Sequence, residues 1–249
     1  MTATLTSLSS LPVHQLPPIE HPSLDKALLG YLKTTDGMRK LVMECFHNAA
    51  DWFCMARPSV ALGLLSANVK QLKSFACLAK LPEEFVKTSE QVKTAHQEKS
   101  GSSAAQLVNR ISCFLMPASD VADALQQRVF SLGARSIMAI NVVGSAALAV
   151  SGLFDLLDNI GKVQKASQPV LHSENGLPAS QHRREIHAIQ GAWGSWSAVS
   201  DIAWGGLLFT GAVTNIVVAP WIILALSTSS LVCGLGSRFS PYLRSPVTV

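Results

Sequence analysis

The chain has 249 residues, 48% hydrophobic, 6% aromatic and only 14% charged, with a formal net charge of +4. Soluble domains carry about 25% charged residues, so the composition points to a membrane protein and away from an ordinary soluble enzyme. The charge is uneven, +3 over residues 1–135, −1 over 155–201 and +2 after 237; it is too sparse and mixed for a nucleic-acid partner.

Residues 1–22 open with "MTATLTSLSSLPVHQLPPI", which has no charged side chain and three prolines. A secretory signal needs a basic start and an unbroken apolar run, and a transit peptide needs arginine. Neither pattern is present. Two readings stay open: a disordered leader, or a type III secretion leader, whose uncharged Ser/Thr-rich composition it resembles.

Residues 23–100 read as an amphipathic helical region. Ser23 caps a short helix that starts at Leu24. "TTDG" breaks it, and Thr35 or Asp36 caps a second helix that runs to about Ala56. The polar positions of that helix, Lys40, Glu44, His47, Asn48 and Asp51, recur at three- and four-residue spacing. Pro58 ends it. A third helix is expected from Ser59 to Lys80, with Lys70, Lys73 and Lys80 near one face and Leu64, Leu65, Leu72 and Phe75 on an apolar stripe. A basic amphipathic helix of this kind lies on an anionic lipid surface, with Lys70, Lys73, Phe75 and Lys80 as the membrane-binding set. The same pattern also fits a core helix with solvated lysines. The polar stretch from Glu83 onward reads as a solvated helix end that passes into a linker at Gly101-Ser102-Ser103.

Residues 101–135 form this linker and a pre-membrane helix, in which Asp120 and Asp123 follow a Ser119 cap. Residues 136–154 are uncharged and long enough to span a bilayer; the alternative is a buried soluble helix. Gly144, Ala147 and Ser151 are the candidate helix-packing face, because small residues let helices approach closely. Residues 155–201 connect this span to a second uncharged run, 202–237, which is either one span or a hairpin turning at Pro220-Trp221. Residues 238–249 are a tail. The charge distribution favours two spans with both termini on the cytosolic side. The expected fold is all-α: an amphipathic helical amino-terminal domain followed by two or more transmembrane helices.

No chemistry is expected. Five cysteines without a C-x-x-C pair suggest buried thiols in a reducing compartment, not a disulfide framework or a zinc site. His182 and His187 are five residues apart and share no helix face. Asp155 and Asp158 read as a solvated helix terminus. Phosphate loops, dinucleotide fingerprints and nucleophile elbows are all missing from the sequence, so no catalytic, cofactor or metal site is assigned.

Two stretches carry resemblances. "KTTDGMRK" followed by Ala49-Ala50-Asp51, together with the uncharged leader and the Gly/Ala-rich span, resembles the inclusion-membrane proteins of chlamydiae, of the Cap-one type. Many of those proteins have two spans joined by a very short loop, whereas here about 47 residues separate the runs unless 202–237 is itself the hairpin. "LKTTDGMRKL", "LSANVKQLKSFACLAKLPEEF", "LFDLLDNIGKV" and "ALSTSSLVCGLG" are similar to segments of the peroxisomal membrane-elongating peroxin eleven family. Met38 stands where that family has a basic residue. The first resemblance implies a non-enzymatic protein secreted by an intracellular bacterium into the host vacuole (inclusion) membrane, with a cytosol-facing helical domain that meets host proteins or membrane. The second implies a protein that curves and elongates the peroxisomal membrane. Both imply the lipid bilayer and host or organelle proteins as partners, and leave room for a homo-oligomer.

Overall fold

The computed structural model describes residues 23–34, 37–98, 100–129, 131–167 and 177–243. Among them every regular element is helical. Helix α1 covers Leu24–Leu32. A π-helical segment, Met38–Glu44, runs directly into α2, Cys45–Ala56. Then follow α3 (Val60–Leu78), α4 (Leu81–Glu98), α5 (Gly101–Arg128), α6 (Ala134–Ser167), α7 (Leu177–Thr214) and α8 (Pro220–Leu243).

Local chemistry sets the boundaries. Gly37 N–H donates to Thr34 Oγ1 at 3.0 Å, and that hydroxyl donates to Tyr31 O at 2.7 Å. Gly37 packs so closely on the Tyr31 carbonyl that a Cβ there would collide with it. The junction thus needs a residue without a side chain. Arg57 is extended, as a residue before proline must be, which stops α2. Ser100 and Ser103 form a reciprocal capping box that starts α5. Asn215 adopts φ 56° just past α7, a left-handed conformation that asparagine tolerates. Pro220 opens α8, where its missing N–H costs no helical bond.

Six helices close into a ring. α2 packs on α3, α3 on α5, α5 on α6, α6 on α7, α7 on α8, and α8 returns to α2. The α6–α7 pair is antiparallel and close. A Cβ on Gly205 would stand 2.7 Å from Ala149 N, one on Gly152 would stand 3.2 Å from Ala198 O, and one on Gly191 would stand 2.9 Å from Asn159 O. Serines join α7 to α8: Ser197 Oγ donates to Ser230 O at 3.0 Å, and Ser200 Oγ lies 2.9 Å from Ser229 Oγ. Such interhelical hydrogen bonds suit an apolar surrounding, which offers no competing water.

The sorting of side chains is inverted relative to a soluble bundle. The buried residues are mostly small or polar, among them Ala50, Cys77, Ala124, Asn48, Ser66, Ser145 and Ser200. Large apolar residues point outward, with Phe46 and Phe53 each 65% exposed and Val60 83% exposed. Two helices, Ala134–Ser167 and Pro220–Ser240, are long and apolar enough to cross a membrane by length and composition.

Several expectations need correction. Asp120 and Asp123 are not first-turn residues, because the Ser100 capping box starts α5 well upstream and Pro117 is carried inside the helix. The expected linker at 101–103 is therefore the first turn of α5. The expected connecting segment 155–201 is mostly helix, since α6 continues to Ser167 and α7 begins at Leu177. Asp155 and Asp158 are both exposed; Asp158 pairs with Lys162 at 2.7 Å, and Asp155 borders the cavity described below. The run 202–237 is a helix–turn–helix with its turn at 215–219. The amino-terminal helices α2 and α3 pack on α8 and α5 respectively. The leader and the Thr35 and Asp36 caps lie outside the described residues.

Candidate functional site

The ring borders an open cavity of about 990 Å3, at the upper end of the range of ligand pockets, about 300–1,000 Å3. Its wall mixes charged and hydroxyl groups with apolar side chains such as Met116, Ile140 and Leu208. Lys40, Glu44, His47, Asn48 and Asp51 reach it from the π-helical segment and α2; their three- and four-residue spacing places them on one face. α3 adds Ser66, Lys70, Lys73 and Ser74, and α5 adds Asp120 and Asp123. α6 contributes Ser145, Ser151 and Asp155, α7 contributes Asp201 and Trp204, and α8 contributes Ser227 and Ser230.

Most of these groups hold one another. Lys70 Nζ lies 3.3 Å from Asp123 Oδ2, and Lys73 Nζ lies 3.6 Å from Glu44 Oε1. His47 Nε2 is 3.5 Å from Asp51 Oδ2, and Ser66 Oγ donates to the same Asp51 carboxylate. Cys77 Sγ stands 3.8 Å from Asp120 Oδ2. Asp155 and Asp201 both feel the Lys40 charge. Six carboxylates face three lysines around the wall. With His47 neutral the cavity is net anionic, which opposes an anionic occupant.

No protein family matches the chain, and neither a curated protein nor a solved structure gives a significant match. The geometry therefore carries the functional argument.

Of the expected membrane-surface set, Lys73 is 17% exposed and pairs with Glu44, and Lys70 is 51% exposed and pairs with Asp123; both border the cavity. Phe75 is exposed on the outside and Lys80 is part-buried at the end of α3. The expected packing set also divides. Gly144 abuts Ser119 of α5, while Ala147 and Ser151 are buried, the latter on the cavity wall. The closest approach to α7 instead involves Ser145, Ala149 and Gly152. His187 is exposed, and the His182 side chain lies outside the described residues. Among the described residues no group of three His, Cys, Asp or Glu is placed to hold a metal ion.

Two hydrogen bonds fasten the amino-terminal helices to α8. Trp52 Nε1 donates to Thr228 Oγ1 at 3.0 Å, and Ser227 Oγ donates to Asn48 Oδ1 at 3.2 Å. The Trp52→Phe variant is expected to lose about 1 kcal/mol of stability, the net worth of one hydrogen bond. Thr228→Val should lose the same, and the double variant should lose little more. Thermal unfolding of the purified protein reads all three. Fully additive losses would mean that the two side chains do not interact.

Proposed function

We propose that this chain is a non-enzymatic integral membrane protein whose two span-length helices, α6 and α8, cross a bilayer. One observation carries this reading: only 22% and 17% of the apolar stretches of the two span-length helices are buried within the protein. The core helix of a soluble protein buries most of its apolar surface, whereas a span leaves it to lipid. The polar groups of the cavity support a non-enzymatic role, since they pair with one another across the ring. α4 supplies a polar, exposed helix, with Glu83, Glu90 and Lys93, for a protein partner outside the bilayer.

The membrane we propose is the host vacuole (inclusion) membrane, reached by secretion from an intracellular bacterium. The uncharged leader and the "KTTDGMRK" stretch support this placement. Peroxin-like elongation of the peroxisomal membrane ranks second. That reading depends on a basic helix face toward lipid, and here Lys70 and Lys73 are engaged by Asp123 and Glu44.

The test is an epitope-tagged copy, imaged after selective permeabilisation and fractionated with alkaline carbonate. The expected result is a carbonate-resistant ring around the bacterial vacuole. Puncta that coincide with a peroxisomal matrix marker would shift the assignment to the second reading. Release into the carbonate supernatant would overturn the integral-membrane reading.

A further inference from the structure

The depth at which α2 meets α8 has a direct consequence. The span-length segment Pro220–Ser240 has its midpoint at Ser230. Thr228, the partner of the Trp52 indole, is two residues away, about 3 Å along a helix axis. Ser227, the partner of Asn48, is three residues away, about 4.5 Å. The hydrocarbon core extends about 15 Å on each side of its centre. If α8 crosses a bilayer, α2 lies at the same depth. It is then neither a surface helix nor part of a cytosolic domain.

The side chains of α2 and α3 are sorted for that location. Lys40, Glu44, His47, Asp51, Lys70 and Lys73 all line the cavity. Of the charged side chains described from Lys40 to Lys73, only Arg57 does not, and it sits in the turn at the tip of the α2–α3 pair. The opposite face is mostly apolar: Phe46, Phe53, Val60, Leu64 and Leu72 are each more than half exposed, with Asn68 the exposed polar residue among them on α3. The lengths agree too. Met38–Ala56 and Val60–Leu78 each hold 19 residues, about 28 Å of helix, close to the hydrocarbon thickness of about 30 Å.

We propose that Met38–Leu78 is a membrane-embedded helical hairpin, with its apolar face against lipid acyl chains and its charges against the central cavity. The inference rests on the integral-membrane reading above. Acyl chains suit this surface because α8, the span-length helix on which α2 packs, also exposes large apolar residues such as Trp221 and Val232. They also ask nothing of it in hydrogen bonding, since both limbs satisfy their own backbones. The charged face is tolerated at this depth because its ions have partners inside the ring.

Photocrosslinking of the full chain in isolated membranes tests the proposal. Benzoylphenylalanine is placed singly at Phe53, at Leu64, at Val143 on α6, and at Glu90 on the polar helix α4. Phe53 and Leu64 are 65% and 61% exposed, so the substitutions disturb little packing. After illumination, mass spectrometry should find phospholipid adducts at Phe53 and Leu64 in yields matching Val143, with Glu90 at background. Adducts at Val143 alone would overturn the embedded hairpin and leave the membrane reading intact. Adducts at none of the four would overturn both. A covalent dimer formed from Phe53 or Leu64 in place of a lipid adduct would also overturn the proposal, because a second copy would then cover this face.

Discussion

A Lys73→Met variant is expected to melt about 6–10 °C below the parent protein in detergent, equivalent to about 3 kcal/mol. Lys73 and Glu44 are each 17% exposed and stand 3.6 Å apart. Removing the ammonium leaves the carboxylate in a confined space, and the cost is chiefly that uncompensated charge. The figure is at the low end for a buried pair because the cavity is roomy enough to admit water. A double variant, Lys73→Met with Glu44→Gln, should recover most of the loss, since it removes both charges. The Lys87–Glu83 pair on α4 is the contrast. Its partners are 40% and 63% exposed, and such helix-surface pairs are worth only about 0.3–0.5 kcal/mol. The hydrogen bond that Lys87 donates to Glu83 raises its ammonium above the ordinary value. The small contribution is therefore complete at neutral pH and is lost only as pH rises through that raised value. Lys87→Met should hardly move the melting temperature. Equal melting of Lys73→Met and the parent protein would mean that the pair is not formed.

Gly205→Ala is expected to cost about 2 kcal/mol, while Gly206→Ala, its neighbour, should be neutral or mildly stabilising. A Cβ at position 205 would stand 2.7 Å from Ala149 N and 2.8 Å from Ser145 O. Both are backbone atoms of α6 and cannot rotate aside, so the two helices must separate. At Gly206 nothing lies within 4 Å of the added carbon, and alanine is the better helix former by up to about 1 kcal/mol. The two variants differ by one position and by nothing in composition. Thermal unfolding and gel-filtration profiles of the purified proteins check the contrast. Indistinguishable behaviour would show that α6 and α7 do not approach at Gly205.

Much of the architecture is legible in the residues themselves. The low charge, the uncharged 136–154 run and the three- and four-residue spacing of Lys40, Glu44, His47 and Asp51 each follow from local rules. So do the stops at Pro58 and the TDG turn. These signals are period and composition, which a single helix expresses alone. They identify an all-helical chain and the two apolar stretches, of which α6 and α8 are the span-length helices.

The direction in which each face turns is not a local property. Lys70 and Lys73 read equally well as facing lipid or as a solvated face of a core helix, because a moment has the same magnitude whichever side is outside. Only the tertiary arrangement brings Asp123 from α5 and Glu44 from the π-helical segment to meet them. The cavity draws on six helices far apart in sequence. The Lys40 charge that acts on Asp155 and Asp201 likewise comes from more than a hundred residues away. The helical class and the apolar stretches are local properties of the chain, whereas the full extents of α5, α6 and α7 are not. The tertiary structure decided which side of each helix is inside, because burial and charge pairing depend on partners that no local window contains.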